Sequence, residues 1–299
     1  MAYPYRKLIK PRLGTPIIKG HRLGPAGGLV FFLLMNECSG DKVFDLSGNN
    51  FIGTFQGTAP SWTSDKFGSA VLLPGTDEHI LVGDYDYFSF TDGSTDKPFS
   101  VVAWVKPTAI GSNTHPIVSK YLDISPWNGE WMFSHPSTGA NLYFQCADGS
   151  PVVRIKITSS FTFSANVSYQ VAATYDGSGS QNGLNLYKNG IVDASPTRAM
   201  DGSYSHMDNM SCPLEIGSGL RNSEFISFYQ GIIDCVMIYN RALSISEMAR
   251  LYREPFCMFD YEPIELWTAA TQGGAAPPVG KTGAKYVPYG SLGVQTFAA

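Results

Sequence analysis

The sequence predicts an all-β protein: a two-sheet antiparallel sandwich of about 13–14 short strands, one short C-terminal helix, and an extended arm at each end. Three observations lead there. Short apolar runs recur through residues 28–259, broken by turn signals at close intervals. The chain carries 31 Gly, 19 Pro and 13% aromatic residues, which suits tight turns and pleated surfaces better than helices. Only one segment combines a helical period with a start and a stop signal.

In chain order the strands fall at 28–36 (GLVFFLLMN), 51–55, 69–73 (SAVLL), 78–82 (EHILV), 99–106 (FSVVAWVK), 116–121, 130–134 (EWMFS) and 141–146 (NLYFQC). They continue at 152–158 (VVRIKIT), 168–175 (SYQVAATY), 184–188 (LNLYK), 191–194, 213–217 (PLEIG) and 230–239 (QGIIDCVMIY). Asn189-Gly190 is a two-residue hairpin signal, because both positions tolerate positive φ. The helix is placed at 245–253: Ser244 with Glu247 three residues on forms a capping box, and Pro255 stops the run. Trp62 and Trp104 fall inside strand segments and are expected in the core.

The 299 residues suffice for one large β domain with extensions. Hydrophobic content of 43% against 15% charged argues against disorder. Residues 1–27 form a proline-punctuated arm with Arg6, Lys7, Lys10, Arg12, Lys19 and Arg22 and no acid. With −4 overall, that arm at +6 leaves the remainder at −10. A basic arm on an acidic body predicts docking onto an acidic neighbour, including another copy of the chain. Nucleic acid is disfavoured, since no aromatic or Gly-Arg repeat interleaves the charges. Residues 260–299, rich in Gly, Pro and Ala, read as a linker or an arm that orders against a partner.

GLVFFLLM (28–35) imitates a signal-peptide core, but the residues before it contain Pro4, Pro11, Pro16 and Pro25 and no cleavage site follows. It is too short to span a bilayer, so it reads as the first buried strand, with neither secretion signal nor membrane contact expected. Cys38, Cys146, Cys212, Cys235 and Cys257 are an odd, widely spaced set without Cys-x-x-Cys. They read as small buried hydrophobes.

The segments FDLSGNNFIGTF (44–55), KFGSAVLLPGTDEHILV (66–82), FSVVAWVKPT (99–108), SYQVAATYDG (168–177), LNLYKNG (184–190), PLEIGS (213–218) and GIIDCVMIYNRALSISEMARLY (231–252) occur in an order that resembles a known family. It is the laminin-G-like jelly-roll of the concanavalin A-like lectin/glucanase superfamily. One departure is Asp234-Cys235 where that family usually carries Asp-Glu. YREPFCMF and the Pro/Gly tail after it resemble tailed-phage particle proteins.

In VFDLSGNNFIGTF (43–55), Asp45, Ser47 and Asn49 alternate as in the opening of an EF-hand. An EF-hand needs Gly at its sixth position and an acid at its twelfth; counting from Asp45 these are Asn50 and Gln56. The loop is therefore no EF-hand. The resemblance implies instead one structural calcium, held by the Asp45 carboxylate, carbonyls near Ser47 and Asn50, the Asn49 amide, and Asp234 from the last strand. The alternative is a metal-free Asx-turn in which Asp45 caps Ser47 and Asn49.

Hydrolases of this fold carry runs such as Glu-x-Asp-x-x-Glu on one strand, and none occurs here. Asp84 and Asp86 in GDYDYF lack a third acid, and His21, His79, His115, His135 and His206 are scattered. No enzyme activity is expected. A sugar-binding face is easier to build: Trp127, with Asn128 and Glu130 beside it and Tyr85 and Tyr87 contributing, would supply an apolar platform and polar groups.

Two functional readings follow. The first is a structural protein of a virus particle, a phage capsid decoration or fibre-like accessory component at the virion surface, assembled in the host cytoplasm and joined to other virion proteins or copies of itself through its arms. The second is an extracellular carbohydrate-binding or adhesion module of a secreted bacterial protein. A glycanase or lyase comes third.

Overall fold

A computed structural model describes residues 8–58, 60–110, 115–123, 129–135, 140–148, 153–221 and 224–260. Residues 1–261 form one compact unit, and 262–299, the second, lie outside the described residues.

The strands are β1 (Leu29–Leu33), β2 (Lys42–Phe44), β3 (Ile52–Gln56), β4 (Ser61–Asp65), β5 (Gly68–Leu73), β6 (His79–Gly83), β7 (Phe99–Pro107), β8 (His115–Lys120), β9 (Leu122–Asp123) and β10 (Trp131–His135). Then come β11 (Asn141–Ala147), β12 (Arg154–Thr162), β13 (Tyr169–Tyr175), β14 (Leu184–Lys188), β15 (Ile191–Val192), β16 (Thr197–Asp201), β17 (Leu214–Ile216), β18 (Ser218–Arg221), β19 (Glu224–Phe228) and β20 (Gly231–Tyr239). One helix follows, α1 (Ile245–Arg253). An eight-stranded sheet runs β15-β14-β13-β7-β20-β5-β4, with β1 also paired to β20. A nine-stranded sheet runs β16-β12-β11-β10-β8-β17-β6-β3-β2, and β19-β18-β9 make a small third sheet.

The core lies between the two large sheets. Phe90 stacks on Phe99 at 4.2 Å, Phe99 meets Trp131 at 5.4 Å, and Phe133, Phe144 and Tyr175 complete the layer. A second apolar cluster covers the other face of the eight-stranded sheet: Phe32, Trp104, Met237 and Tyr239 from the strands, Met248 and Leu251 from α1, then Phe256–Phe259. Strands β1 and β20 are therefore buried on both faces. That explains why their sequences are continuous apolar runs and not alternating ones. Helix α1 starts at the expected capping box, with Ser244 and Glu247 bonded reciprocally, and no described helix is long and apolar enough to cross a membrane.

The stretch read as an N-terminal arm is docked on the domain from Leu8 onward. Leu23 is fully buried in the second cluster, and its carbonyl accepts the Tyr239 hydroxyl at 2.9 Å. Ile17 bridges to Phe259, and Ile18 donates its N–H to the Met258 carbonyl. Arg22 meets Glu247 at 3.4 Å, and Lys10 sits beside Asp234. The basic segment thus finds acidic partners in its own chain, because its apolar residues are needed to cover the eight-stranded sheet. Trp62 also differs from expectation: it lies on strand β4 at the end of its sheet, only partly buried, its indole N–H on the Gly40 carbonyl. Four cysteines are buried and Cys38 is exposed.

Candidate functional site: the solvent face of the nine-stranded sheet

Alternation along β10, β11 and β12 sends Trp131, Phe133, Leu142, Phe144, Cys146, Ile155 and Ile157 into the core. The residues between them point the other way. Register joins these outward residues into a row across the whole sheet: Lys42, Thr54, Leu81, Glu215, Ser119, Met132, Gln145, Lys156 and Ala199. Tyr143 beside Thr158, and Arg154 beside Asp201, flank that row on the same face.

The hairpin of β18 and β19 folds over the middle of this face. Ser119 Oγ donates to the Ser218 carbonyl at 2.7 Å, and Ser218 Oγ donates to Glu215. Beyond the hairpin Gln145 is buried while Arg154, Lys156 and Asp201 reach solvent, and these polar groups are tied together. Tyr143 Oη donates to Gln145 Oε1 at 2.6 Å, and Arg154 Nη1 approaches the same oxygen at 3.4 Å. Arg154 Nε and Lys156 Nζ both bond Asp201 Oδ2, at 2.8 and 2.6 Å. Those hydrogen bonds, Lys156 foremost, hold the Asp201 carboxyl below its ordinary range, while burial pushes the Tyr143 phenol up. Arg154, Lys156 and Asp201 each keep 27–29% of their side chains exposed. The result is a hydrogen-bonded polar patch with two cations against one carboxylate, its charged groups partly exposed and its Gln145 buried.

Under the hairpin, Glu215 has only the Ser218 hydroxyl as partner among the described residues, and burial raises its carboxyl to about 7. The folded state therefore holds this proton more tightly than the unfolded chain does. Stability from the group is full below its ordinary value of 4.5 and is lost as pH rises through about 7. Glu215→Gln is expected to stabilise the protein at pH 8 by about 2–3 kcal/mol and to change little at pH 4, since one pKa unit is about 1.4 kcal/mol. Urea unfolding at the two pH values measures this, and an equal effect at both would contradict it.

The candidates from sequence distribute differently. Glu130 is fully buried: it pairs with Lys120 at 3.0 Å, accepts from the Met210 N–H, and is raised to about 7 by burial against the pull of Lys120. It cannot face a sugar, because it is fully buried with Ser89 Oγ, the Met210 N–H and Lys120 on its carboxylate. Tyr85 and Tyr87 are exposed and lean on Phe51 at 4.8 and 5.8 Å, making an aromatic rim. Beside it Asp84 binds Lys120, and Asp86 accepts from Asn209. Trp127 and Asn128 lie outside the described residues. Two histidines scattered in sequence meet in space: His115 pairs with His135, ring centroids 4.4 Å apart, and burial lowers His135 to about 3.

In the 45–50 loop, Asp45 Oδ1 accepts the Phe32 and Ser47 N–H groups at 2.8 and 2.9 Å, and Oδ2 accepts the Ser47 hydroxyl at 2.7 Å. Asn49 donates its amide to the Val30 carbonyl, and Asn50 is exposed in a left-handed conformation. Three protein donors thus converge on the Asp45 carboxylate, the arrangement of an Asx-turn. Strand β1 stands between the loop, bridged at Leu33–Asp45, and β20, which carries Asp234. Among the described residues no group of three His, Cys, Asp or Glu side chains could hold a metal.

The polar face was missed in the sequence although its signal was present. NLYFQC and VVRIKIT alternate, so Tyr143, Gln145, Arg154, Lys156 and Thr158 share one side of adjacent strands. Asp201 joins them from β16, a strand the sequence does not announce.

Residues 82–249 match a laminin G-type family model described as the concanavalin A-like lectin/glucanases superfamily. This chain belongs to that superfamily. No curated protein matches it in sequence. Among solved structures it is similar to the binding domain of Paraclostridial mosquitocidal protein 1 (TM-score 0.56, 21% identity, 76% of this chain and 52% of that one). It is also similar to domain 4 of the extracellular arabinanase AbnA from Geobacillus stearothermophilus in complex with arabinotriose (0.53, 18%, 75% and 98%). A third is a botulinum neurotoxin type C structure whose cell entry is described as dependent on two ganglioside molecules (0.54, 13%, 76% and 51%). The chain spans about half the length of the mosquitocidal and neurotoxin chains it resembles, and at these identities the likeness concerns the fold.

Proposed function

We propose that this chain is a saccharide-binding module that engages its ligand on the open half of the nine-stranded sheet, without turnover. The observation that carries the reading is the Tyr143–Gln145–Arg154–Lys156–Asp201 network, held on adjacent strands with its charged groups partly exposed. Preorganised polar groups beside an aromatic ring are what sugar hydroxyls require. Two cations against one carboxylate favour a sugar that carries a carboxylate of its own. Binding without hydrolysis is favoured because glycosidases need two working carboxylates: on this face Asp201 is bonded by both cations and Glu215 is covered by the hairpin.

Membership of a lectin/glucanase superfamily supports the reading, as does the arabinotriose complex of one structural relative. The particle reading has less behind it. Part of its case rests on free arms, but residues 8–27 of the N-terminal one are committed to their own domain, and none of the relatives named above is a particle component.

A glycan array of neutral and carboxylate-bearing saccharides tests the proposal. The full chain is expected to bind carboxylate-bearing members, and Arg154→Gln or Lys156→Gln to weaken binding by about tenfold or more, the equivalent of one charge-assisted hydrogen bond. Melting temperature should fall only slightly, as ion pairs partly open to solvent contribute about 1 kcal/mol or less. Binding undiminished by either substitution would place the ligand elsewhere.

A further inference from the structure

Among the described residues of the N-terminal segment, Lys10 is the most completely enclosed charge. Its side chain is 2% exposed and that of Asp234 is 3% exposed. The ammonium donates to the Asp234 carbonyl at 2.6 Å, to the Met35 carbonyl at 3.3 Å and to the Ser69 carbonyl, and lies 3.1 Å from Asp234 Oδ1. Its own backbone N–H is anchored on the Phe67 carbonyl. Four oxygens from three distant stretches of chain thus converge on one group that has three protons to offer. Met35 is in the left-handed region, φ 53°, unusual for a residue with a side chain, and the carbonyl it presents is one of the four. Asp65 stands beside Asp234 at the edge of the cluster, its own carboxylate bonded by Lys106 Nζ at 3.3 Å and Ser168 Oγ at 3.0 Å. The three carbonyls and the Asp234 carboxylate are oxygen ligands of the kind a hard cation takes.

We propose that these oxygens form a cation site which the chain fills with its own Lys10, so that docking of the N-terminal segment and loading of the site are one event. The intact protein then needs no metal at this position. Withdrawing the ammonium leaves a buried, anionic oxygen cage that takes a divalent cation such as calcium. This accounts for Asp234 lying apart from the Asp45 loop: its carboxylate belongs to the Lys10 cage. Lys120 shows the same device elsewhere in the fold, enclosed by Asp84, Glu130 and the carbonyls of Met210 and Cys212.

The test is thermal unfolding of the full chain and of Lys10→Ala, each with chelator and with added calcium. The wild-type midpoint should be the same in both conditions. Lys10→Ala in chelator should melt lower by about 10 °C, the scale expected for an unpaired buried charge in a domain of this size. Calcium should then raise the variant's midpoint, and a further Asp234→Asn change should abolish that response. A variant recovered folded only in calcium would equally support the site. Equal calcium stabilisation of wild type and variant would overturn it, as would a folded Lys10→Ala that melts like wild type or ignores calcium, or a variant recovered in neither condition.

Discussion

Lys120→Met is expected to lower the unfolding free energy by about 3–5 kcal/mol, because it strands a buried carboxylate. Both the Lys120 and Glu130 side chains have no exposure to water, and they stand 3.0 Å apart. Lys120 also neutralises the half-exposed Asp84 at 2.7 Å and caps the Cys212 carbonyl at 2.7 Å. Once it is gone, Glu130 keeps only neutral donors among the described residues, Ser89 Oγ, the Met210 N–H and, at 4.0 Å, the Cys212 thiol. The carboxyl then takes up a proton, so the penalty should shrink as pH falls and grow as pH rises. Lys120→Met combined with Glu130→Gln should recover a large part of the loss, since removing both charges relieves the desolvation that neither can bear alone. Guanidinium unfolding of the two variants decides: a double variant no more stable than Lys120→Met would mean that the pair is not coupled.

Trp131→Ala should cost a similar amount, about 3–5 kcal/mol, the range for deleting a large buried aromatic. Trp131 is fully buried. It stacks obliquely on Phe99 at 5.4 Å and Phe90 at 6.3 Å, and its indole N–H satisfies the Phe88 carbonyl at 2.8 Å. Alanine would leave both a cavity between the sheets and an orphaned carbonyl. The next residue, Met132, pairs with Gln145 on the binding face, so loosening here should also weaken ligand capture. A loss below about 1.5 kcal/mol, the range of a volume-conserving swap, would show that the core closes around the gap.

Much of the fold was legible because burial leaves a pattern. The strands that meet the core on one face alternate, those covered on both faces run apolar, and α1 carries its capping box and stop signal in plain order. What escaped were strands whose side chains bury little. TRAMD of β16 and SWTSD of β4 lie at sheet ends and carry few core contacts, so no periodicity marks them. The N-terminal segment was misjudged for a related reason. Its proline punctuation hides the apolar Ile17 and Leu23, which matter only once Tyr239 and Phe259 are placed opposite them. Glu130 shows the limit of reading sites locally: beside tryptophans it looked like a sugar ligand, yet its partners come from residues 89, 120 and 210. Asp234 teaches the same lesson, since its partner is 224 residues away.

The most direct test of the central claim is a crystal structure of the full chain soaked with the tightest-binding saccharide from the array. The account predicts ligand density over the open half of the nine-stranded sheet, with a carboxylate or hydroxyl on Lys156 and Arg154 and a sugar face against Tyr143. Density at the Tyr85–Tyr87 rim, with the Arg154–Asp201 pair undisturbed, would contradict it.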